Sequence, residues 1–169
     1  MEKTTVISQE QLQRQLDFCN KINTFWHEQG ITPKAYVETY GCQQNEADSE
    51  KLRGYLVSSG YAITDSAEGA DVVVMNTCAI REHAEQRVFG NLGALTHTKR
   101  RHPRQKIFLC GCMAGETKVS DRVRKSFPYV DGVFSTHHLW QFPEILWNVL
   151  SKKKRQFYIE DEAGSIAEG

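Results

Sequence analysis

Three absences narrow the function of this 169-residue chain. Its 21 lysines and arginines balance its 21 aspartates and glutamates, so no basic field covers the whole molecule. Any contact with nucleic acid must therefore come from local basic clusters. No stretch of about 18 apolar residues predicts a membrane span, and the first residues lack the apolar stretch of a signal peptide. We expect a cytoplasmic protein with no membrane partner.

The chain also lacks the closely spaced cysteine pair of a zinc finger. Its five cysteines include no C-x-x-C, the spacing that brings two zinc ligands together on one turn. Thiols in a cytosolic protein stay reduced, and they more often bind metals or act in catalysis than form a disulfide framework. A metal site in this chain would have to bring together cysteines that are far apart in the sequence.

From Lys34 onward, β-like and helix-like segments alternate, which predicts an α/β fold with a flavodoxin-like, open, mainly parallel sheet flanked by helices. We predict strands over Ala35–Tyr40, Tyr61–Thr64, Val72–Thr77, Lys106–Cys110 and Gly132–Phe134. Helices are predicted over Glu46–Ser59, Arg81–His97, Glu116–Ser126 and His138–Leu150, after an extra N-terminal helix over Glu10–His27. The chain then divides into a helical extension (1–33), an α/β domain (34–150) and a linker (151–169).

Three of the cysteines, Cys42, Cys78 and Cys112, each follow an apolar, β-rich run. If these runs are parallel strands, the three thiols emerge at one edge of the sheet, where an open α/β fold binds its ligands. Thiolate sulfur selects iron–sulfur clusters, zinc and copper(I). Three thiolates can hold three irons of a cubane cluster and leave the fourth open to an outside ligand. The alternative is three unrelated buried cysteines, because free cysteine is among the most buried residue types.

The other two cysteines are predicted to pack in the core. Cys110 lies two positions before Cys112, and a turn at Gly111 would re-aim the Cys112 side chain. Cys19 lies on the apolar stripe of the N-terminal helix. Neither residue is therefore predicted to bind a metal.

Three long segments around the cysteines carry a resemblance to a known family. They are ETYGCQQNEADSEKL (38–52), ADVVVMNTCAIREHAEQRVFG (70–90) and FLCGCMAG (108–115). In this order they closely resemble the three cysteine-bearing motifs of the methylthiotransferase N-terminal domain. The second segment is most similar to the MiaB-type tRNA methylthiotransferases. The resemblance covers roughly Tyr36 to Leu150 and does not include the N-terminal helix.

The resemblance implies an activity and a set of cofactors. Members of this family are radical S-adenosylmethionine enzymes that convert N6-isopentenyladenosine, beside the anticodon of tRNA, into its 2-methylthio derivative. The N-terminal domain holds an auxiliary 4Fe-4S cluster through cysteines that match Cys42, Cys78 and Cys112, and the open iron carries the sulfur or methylthio group. A second 4Fe-4S cluster in a radical S-adenosylmethionine domain starts the reaction, and a TRAM domain helps to hold the tRNA.

The sequence departs from the family by omission. It contains no C-x-x-x-C-x-x-C motif, which in the family binds the radical-generating cluster. We therefore expect the chain to be a fragment, with 151–169 as a linker toward a missing radical S-adenosylmethionine domain. Alone it is expected to be inactive.

Two polar residues near the cysteines have two interpretations each. Asn45 either caps the following helix, with Asp48 as the partner three residues on, or donates its amide to a cluster sulfide. Arg81 either offsets cluster charge or contacts substrate, or it is a solvated helix arginine. His137 and His138 are predicted to begin the last helix and are assigned no metal role.

Two basic clusters are the candidates for contact with tRNA phosphates. Only the resemblance suggests this role, because basic residues are common at the C-terminus of a helix, where they complement the helix dipole. They comprise Lys99, Arg100, Arg101, His102, Arg104 and Lys106, and then Lys152 to Arg155.

Two other functions compete with the leading interpretation. One is a flavodoxin-like module for a flavin or nucleotide, although no Gly-rich phosphate loop is evident. The other is a structural zinc protein that uses three thiolates and a histidine.

Overall fold

Strands and helices alternate along the chain as the sequence predicts. The structure is a computed structural model that describes residues 7–41, 43–78, 82–161 and 164–168. The helices are α1 (Gln9–Glu28), α2 (Gln43–Ser58), α3 (Glu82–Arg101), α4 (Thr117–Ser126) and α5 (Phe142–Lys152). The strands are β1 (Lys34–Thr39), β2 (Ala62–Ile63), β3 (Val72–Thr77), β4 (Lys106–Gly111), β5 (Gly132–Phe134), β6 (Gln156–Asp161) and β7 (Gly164–Glu168). Short 3-10 helices cover Met113–Gly115 and Thr136–Gln141.

The strands form one sheet in the order β2-β1-β3-β4-β5-β6-β7. The first six strands in this order run parallel, and β7 is antiparallel to β6. The order 2-1-3-4-5 is that of flavodoxin-like sheets, so the predicted fold class is confirmed. In such a sheet the strand order reverses between β1 and β3. Ligands bind beside the carboxyl ends of the strands at this switch point.

Two hydrophobic cores cover the two faces of the sheet. One contains α1, α2 and α5 and is centred on side chains such as Val74, Phe108 and Phe142. The other contains α3 and α4 and includes Met75 and Leu109. Every residue of β3 is buried, as expected of a central strand covered on both faces. The carboxyl ends of β3 and its neighbours are therefore rigidly placed.

The N-terminal helix is part of this packing. Ser8 and Gln11 form a reciprocal capping box that starts α1. Trp26 donates its indole N–H to the Tyr61 hydroxyl at 2.9 Å, deep in the core. The predicted amphipathic helix is thus confirmed, and it packs against α2 and α5.

Two differences between the structure and the sequence prediction concern the C-terminal part of the chain. The predicted helix His138–Leu150 begins as a 3-10 helix, and the α-helix starts only at Phe142. The physical reason is Pro143, which lacks an N–H and is tolerated only in the first turn of an α-helix. In addition, Gln156–Asp161, inside the segment predicted as a linker, extends the sheet by pairing with β5. Among the described helices, none is long and apolar enough to cross a membrane.

A buried carboxylate fixes the amino-terminal edge of the sheet. Asp71, directly before β3, accepts bonds from the Lys34 amide at 2.8 Å, the Arg104 Nε at 2.6 Å and the His102 ring at 2.7 Å. Burial alone would raise the pKa of the Asp71 carboxyl, but these bonds outweigh it and hold the pKa below its ordinary value. The ionised carboxylate thereby joins the starts of β1, β3 and β4.

Replacing Asp71 by asparagine is expected to lower the free energy of unfolding by about 2 kcal/mol at pH 7. Because the folded pKa of Asp71 is depressed, its contribution is present above the unfolded value near 4 and disappears as the pH falls through the folded value. Urea unfolding of Asp71→Asn and parent between pH 7 and pH 3 should show the difference shrinking. Glu68→Gln, which removes an exposed ion pair with Arg101, is the control and should change stability little. A constant difference across this pH range would contradict the prediction.

Candidate metal centre

The carboxyl ends of β3 and β4 bring two of the predicted ligands to the switch-point edge of the sheet. Thr77 and Gly111 are register partners at the ends of these strands, and Cys78 and Cys112 are the next residues of each chain segment. Cys78 is half-buried and Cys112 is exposed. Cys42 directly follows Gly41 in the sequence, but it lies outside the described residues, as does Arg81.

Gly41 connects the third cysteine segment to this edge. Its backbone has a φ of 130°, and a Cβ built on it would lie 2.2 Å from Cys78 Cβ and 2.9 Å from Cys78 Sγ. Only a residue without a side chain allows this approach. The backbone that leads into Cys42 therefore lies against the side chain of Cys78, as a shared site for the three thiols requires.

Gly111 makes a second close approach, between β3 and β4. Its φ is 100°, and a Cβ there would lie 2.0 Å from the Thr77 carbonyl oxygen. This turn separates two cysteines that are only two residues apart, because Cys110 is fully buried whereas Cys112 reaches the surface. The predicted re-aiming of Cys112 by Gly111 is confirmed. The Cys112 Sγ lies 3.6 Å from the Thr136 hydroxyl, at the end of the neighbouring β5.

Comparison with known sequences identifies the family to which these segments belong. Residues 34–135 match the family described as Uncharacterized protein family UPF0004, the methylthiotransferase N-terminal domain. The chain belongs to this family. It is 47% identical over 133 residues to a tRNA-2-methylthio-N(6)-dimethylallyladenosine synthase of Clostridium perfringens, which is 79% of this chain and 30% of the relative.

Two further relatives with that name align along nearly the whole chain. The one from Clostridioides difficile is 37% identical over 171 aligned positions, 99% of this chain and 36% of the relative. The one from Acetivibrio thermocellus is 38% identical over 170 positions, 98% of this chain and 35% of the relative. The alignments therefore include α1, which the motif resemblance did not. The chain spans about a third of the length of these curated relatives.

The other two cysteines of this methylthiotransferase domain are core residues. Cys110 packs with Phe108 and Phe134, and its thiol lies 3.7 Å from the Asn76 carbonyl oxygen Oδ1. Cys19 lies between α1 and α2, with its thiol 3.8 Å from the Tyr55 carbonyl oxygen. Burial raises the pKa of both thiols, and that of Cys110 is raised well above its ordinary value. The predicted packing roles of both residues are confirmed.

This difference in burial predicts the order of thiol alkylation in the metal-free protein. Of the four cysteines that the structure describes, Cys112 is exposed and should react with iodoacetamide first, and Cys78 should follow more slowly. Cys19 and Cys110 are buried and stay protonated, so they should react only after unfolding. Mass spectrometry of peptides after timed alkylation measures the order, with a urea-unfolded sample as the control. Early alkylation of Cys110 would contradict this placement.

Asn45 is not at the N-cap position that the sequence suggested. The helix α2 begins at Gln43, so Asn45 is its third residue, and its side chain is buried. The Asn45 Nδ2 donates to the Thr77 carbonyl at 2.8 Å. Sequence reasoning missed Asn76 and Thr77, which complete this contact, and the only signal for them was their position directly before Cys78.

Among the residues that the structure describes, no group of three or more metal-ligating side chains meets, and Cys42 is not among these residues.

The first basic cluster lies at the opposite edge of the sheet from Cys78 and Cys112, because it spans the end of α3 and the start of β4. Three of its cations form ion pairs with carboxylates inside the domain: Lys99 with Asp131, Arg101 with Glu68, and Arg104 with Asp71. The His102 ring also contacts Asp71. These three cations are therefore already paired within the domain.

The second basic cluster is divided between two roles. Arg155 donates to the carbonyl oxygens of Val123, Arg124, Phe127 and Val130, most of them at the end of α4. Lys152, Lys153 and Lys154 are exposed near the start of β6, again at the edge away from the cysteines. Neither basic cluster faces the candidate metal centre.

Two cavities flank the Cys112 segment. One of about 770 Å³ lies between α3 and α4, with Glu85 on one wall and Glu116, Lys118 and Arg122 on the other. The other, of about 390 Å³, lies between α1, α2 and the 3-10 helix that carries Thr136. The edge of the sheet that carries the cysteines is thus the open side of the domain, where a larger molecule could approach.

Proposed function

We propose that this domain binds one 4Fe-4S cluster through Cys42, Cys78 and Cys112 and serves as the auxiliary-cluster domain of a tRNA methylthiotransferase. The observation that carries the proposal is the close approach at Gly41, since it brings the backbone before Cys42 against Cys78. Cys112 directly follows β4, the strand that pairs with β3, so it lies at the same edge of the sheet as Cys78.

The donor set fits such a cluster. Soft thiolates select iron–sulfur clusters, and three of them leave one iron of a cubane without a protein ligand. When bound, the cluster would supply that open iron as the place where the sulfur for transfer is held. The domain holds and orients it: buried strands fix the three segments, and the exposed side at Cys112 leaves access for substrate. Cys110 and Cys19 take no part.

The substrate is inferred from the relatives' names. We expect the full-length protein to convert N6-isopentenyladenosine in tRNA to its 2-methylthio derivative in the cytoplasm. S-adenosylmethionine and a second 4Fe-4S cluster would bind in a radical S-adenosylmethionine domain of the same protein, and a TRAM domain would help to hold the tRNA. This chain alone has no C-x-x-x-C-x-x-C motif and is proposed to be inactive. The tRNA would approach the cysteine edge, because the first basic cluster is occupied by internal ion pairs at the other edge.

Anaerobic reconstitution with iron and sulfide tests this proposal. The protein should take up about four irons and four sulfides per chain and gain the broad visible absorption of a 4Fe-4S cluster. Stoichiometric zinc with no sulfide uptake would instead support a structural zinc protein. Binding of a flavin, with no iron uptake, would support a flavodoxin-like module. Either result would overturn the cluster assignment.

A further inference from the structure

We propose that Asn45 is a positioning residue for the cluster, and that it acts through the carbonyl group of Thr77. This inference rests on the proposed function, because it concerns how the three thiolate segments are held relative to one another. The Cys42 and Cys112 segments both bond to the end of β3, the strand that leads into Cys78. At Thr77, the contact from the Cys42 segment is made by the side chain of Asn45.

The Thr77 carbonyl oxygen is the meeting point of the three segments. It accepts a bond from Asn45 Nδ2 at 2.8 Å, three residues after Cys42. It also accepts the backbone N–H of Cys112 at 3.2 Å. Thr77 itself precedes Cys78. A single carbonyl group thereby links Cys112, the residue before Cys78 and a residue three positions after Cys42, and both of its lone pairs are used.

Further bonds hold this carbonyl group in place. Asn76 Nδ2 donates back to the Asn45 carbonyl at 2.8 Å and to the Ser49 hydroxyl at 3.0 Å. The Thr77 hydroxyl donates to the Cys110 carbonyl at 2.6 Å. All of these side chains are buried, so the bonds are strong and an unpaired partner would be costly. The network therefore has one arrangement, and it fixes the start of α2 to the end of β3.

This role differs from donation of the Asn45 amide to a sulfide. One Nδ2 hydrogen is donated to the Thr77 carbonyl, so Asn45 acts on the cluster through the backbone that leads into Cys78. Removing a residue that orients a metal ligand typically lowers metal affinity 10- to 100-fold, roughly as expected when the ligands are no longer preorganised. A residue of similar size without an N–H donor should therefore weaken the retention of iron without removing any ligand.

The test compares Asn45→Leu with parent and with Ser59→Ala. Leucine matches asparagine in size but cannot donate, and Asn45→Asp is a second variant in case the first does not fold. Ser59→Ala is the matched control, because Ser59 is a buried polar residue directly after the same helix, and its hydroxyl donates to the Tyr55 carbonyl, outside the bonds around Thr77. Three quantities are measured: amide exchange at Cys112 in the metal-free protein, iron loss to excess chelator, and the electron paramagnetic resonance spectrum of the reduced cluster.

We expect Asn45→Leu to exchange the Cys112 amide faster, to lose iron about tenfold faster and to show altered g-values. Ser59→Ala should match the parent in iron loss and spectrum even if its melting temperature falls equally. The inference is overturned if Asn45→Leu matches the parent in these measurements, or if both variants lose iron in proportion to lost stability. If the parent takes up no cluster, the proposed function fails, and amide exchange at Cys112 still tests the Asn45–Thr77 link alone.

Discussion

Replacing Gly111 by alanine is expected to lower the free energy of unfolding by more than about 3 kcal/mol. Two penalties combine at this position. The φ of 100° is strained for any residue with a Cβ, and that Cβ would lie 2.0 Å from the Thr77 carbonyl oxygen. Because the atoms in the way belong to the backbone of the central strand, they cannot move without separating β3 from β4. Urea unfolding followed by circular dichroism measures the loss.

Gly93→Ala is the matched control for this prediction. Gly93 lies inside α3, and no atom lies within 4 Å of a Cβ built there. Alanine is favoured over glycine in a helix interior by roughly 0.5–1 kcal/mol, so this variant should be slightly more stable than the parent. If Gly111→Ala is as stable as Gly93→Ala, the close approach of β4 to Thr77 is wrong.

The second large effect concerns the retention of iron. Removing one of three thiolates leaves an iron corner held only by solvent or a weaker ligand, so Cys42→Ala, Cys78→Ala and Cys112→Ala should each lose most of the cluster. Cys19→Ala removes a buried thiol between α1 and α2 and leaves the three ligands intact. Its cost should appear in stability, at about 1–3 kcal/mol, because only packing volume is lost. Iron per chain and urea unfolding together measure both effects, and loss of the cluster in Cys19→Ala would contradict the division between ligand and core cysteines.

The sequence was sufficient to predict the first five strands of the sheet and the edge at which Cys78 and Cys112 lie. Alternating apolar and helical segments determine a parallel sheet, and residues that directly follow parallel strands must emerge at one edge. The apolar run Val72–Met75 identified the central strand, and it is fully buried. The family motifs then identified the methylthiotransferase N-terminal domain, which the spacing of the cysteines left open.

Other features depend on contacts between distant residues, which a sequence pattern does not contain. The bond from Asn45 to Thr77 joins residues 32 positions apart, so the sequence suggested a helix cap or a bond to a cluster sulfide but not this contact. The basic cluster at the end of α3 looked available for phosphates because its acidic partners, such as Asp131 and Glu68, are remote in sequence. Gly41 is part of a motif, but the reason for a glycine there is the side chain of Cys78.

The most direct test of the central claim compares two cysteines that are two residues apart. Cys112→Ala and Cys110→Ala are reconstituted anaerobically beside the parent, after circular dichroism shows that each is folded, and iron and acid-labile sulfide are measured per chain. The account predicts that Cys110→Ala retains the iron and sulfide of the parent, because Cys110 is buried, and that Cys112→Ala loses most of both. Loss of the cluster in Cys110→Ala with retention in Cys112→Ala would contradict the ligand assignment at this strand end, and retention in both would contradict the site itself.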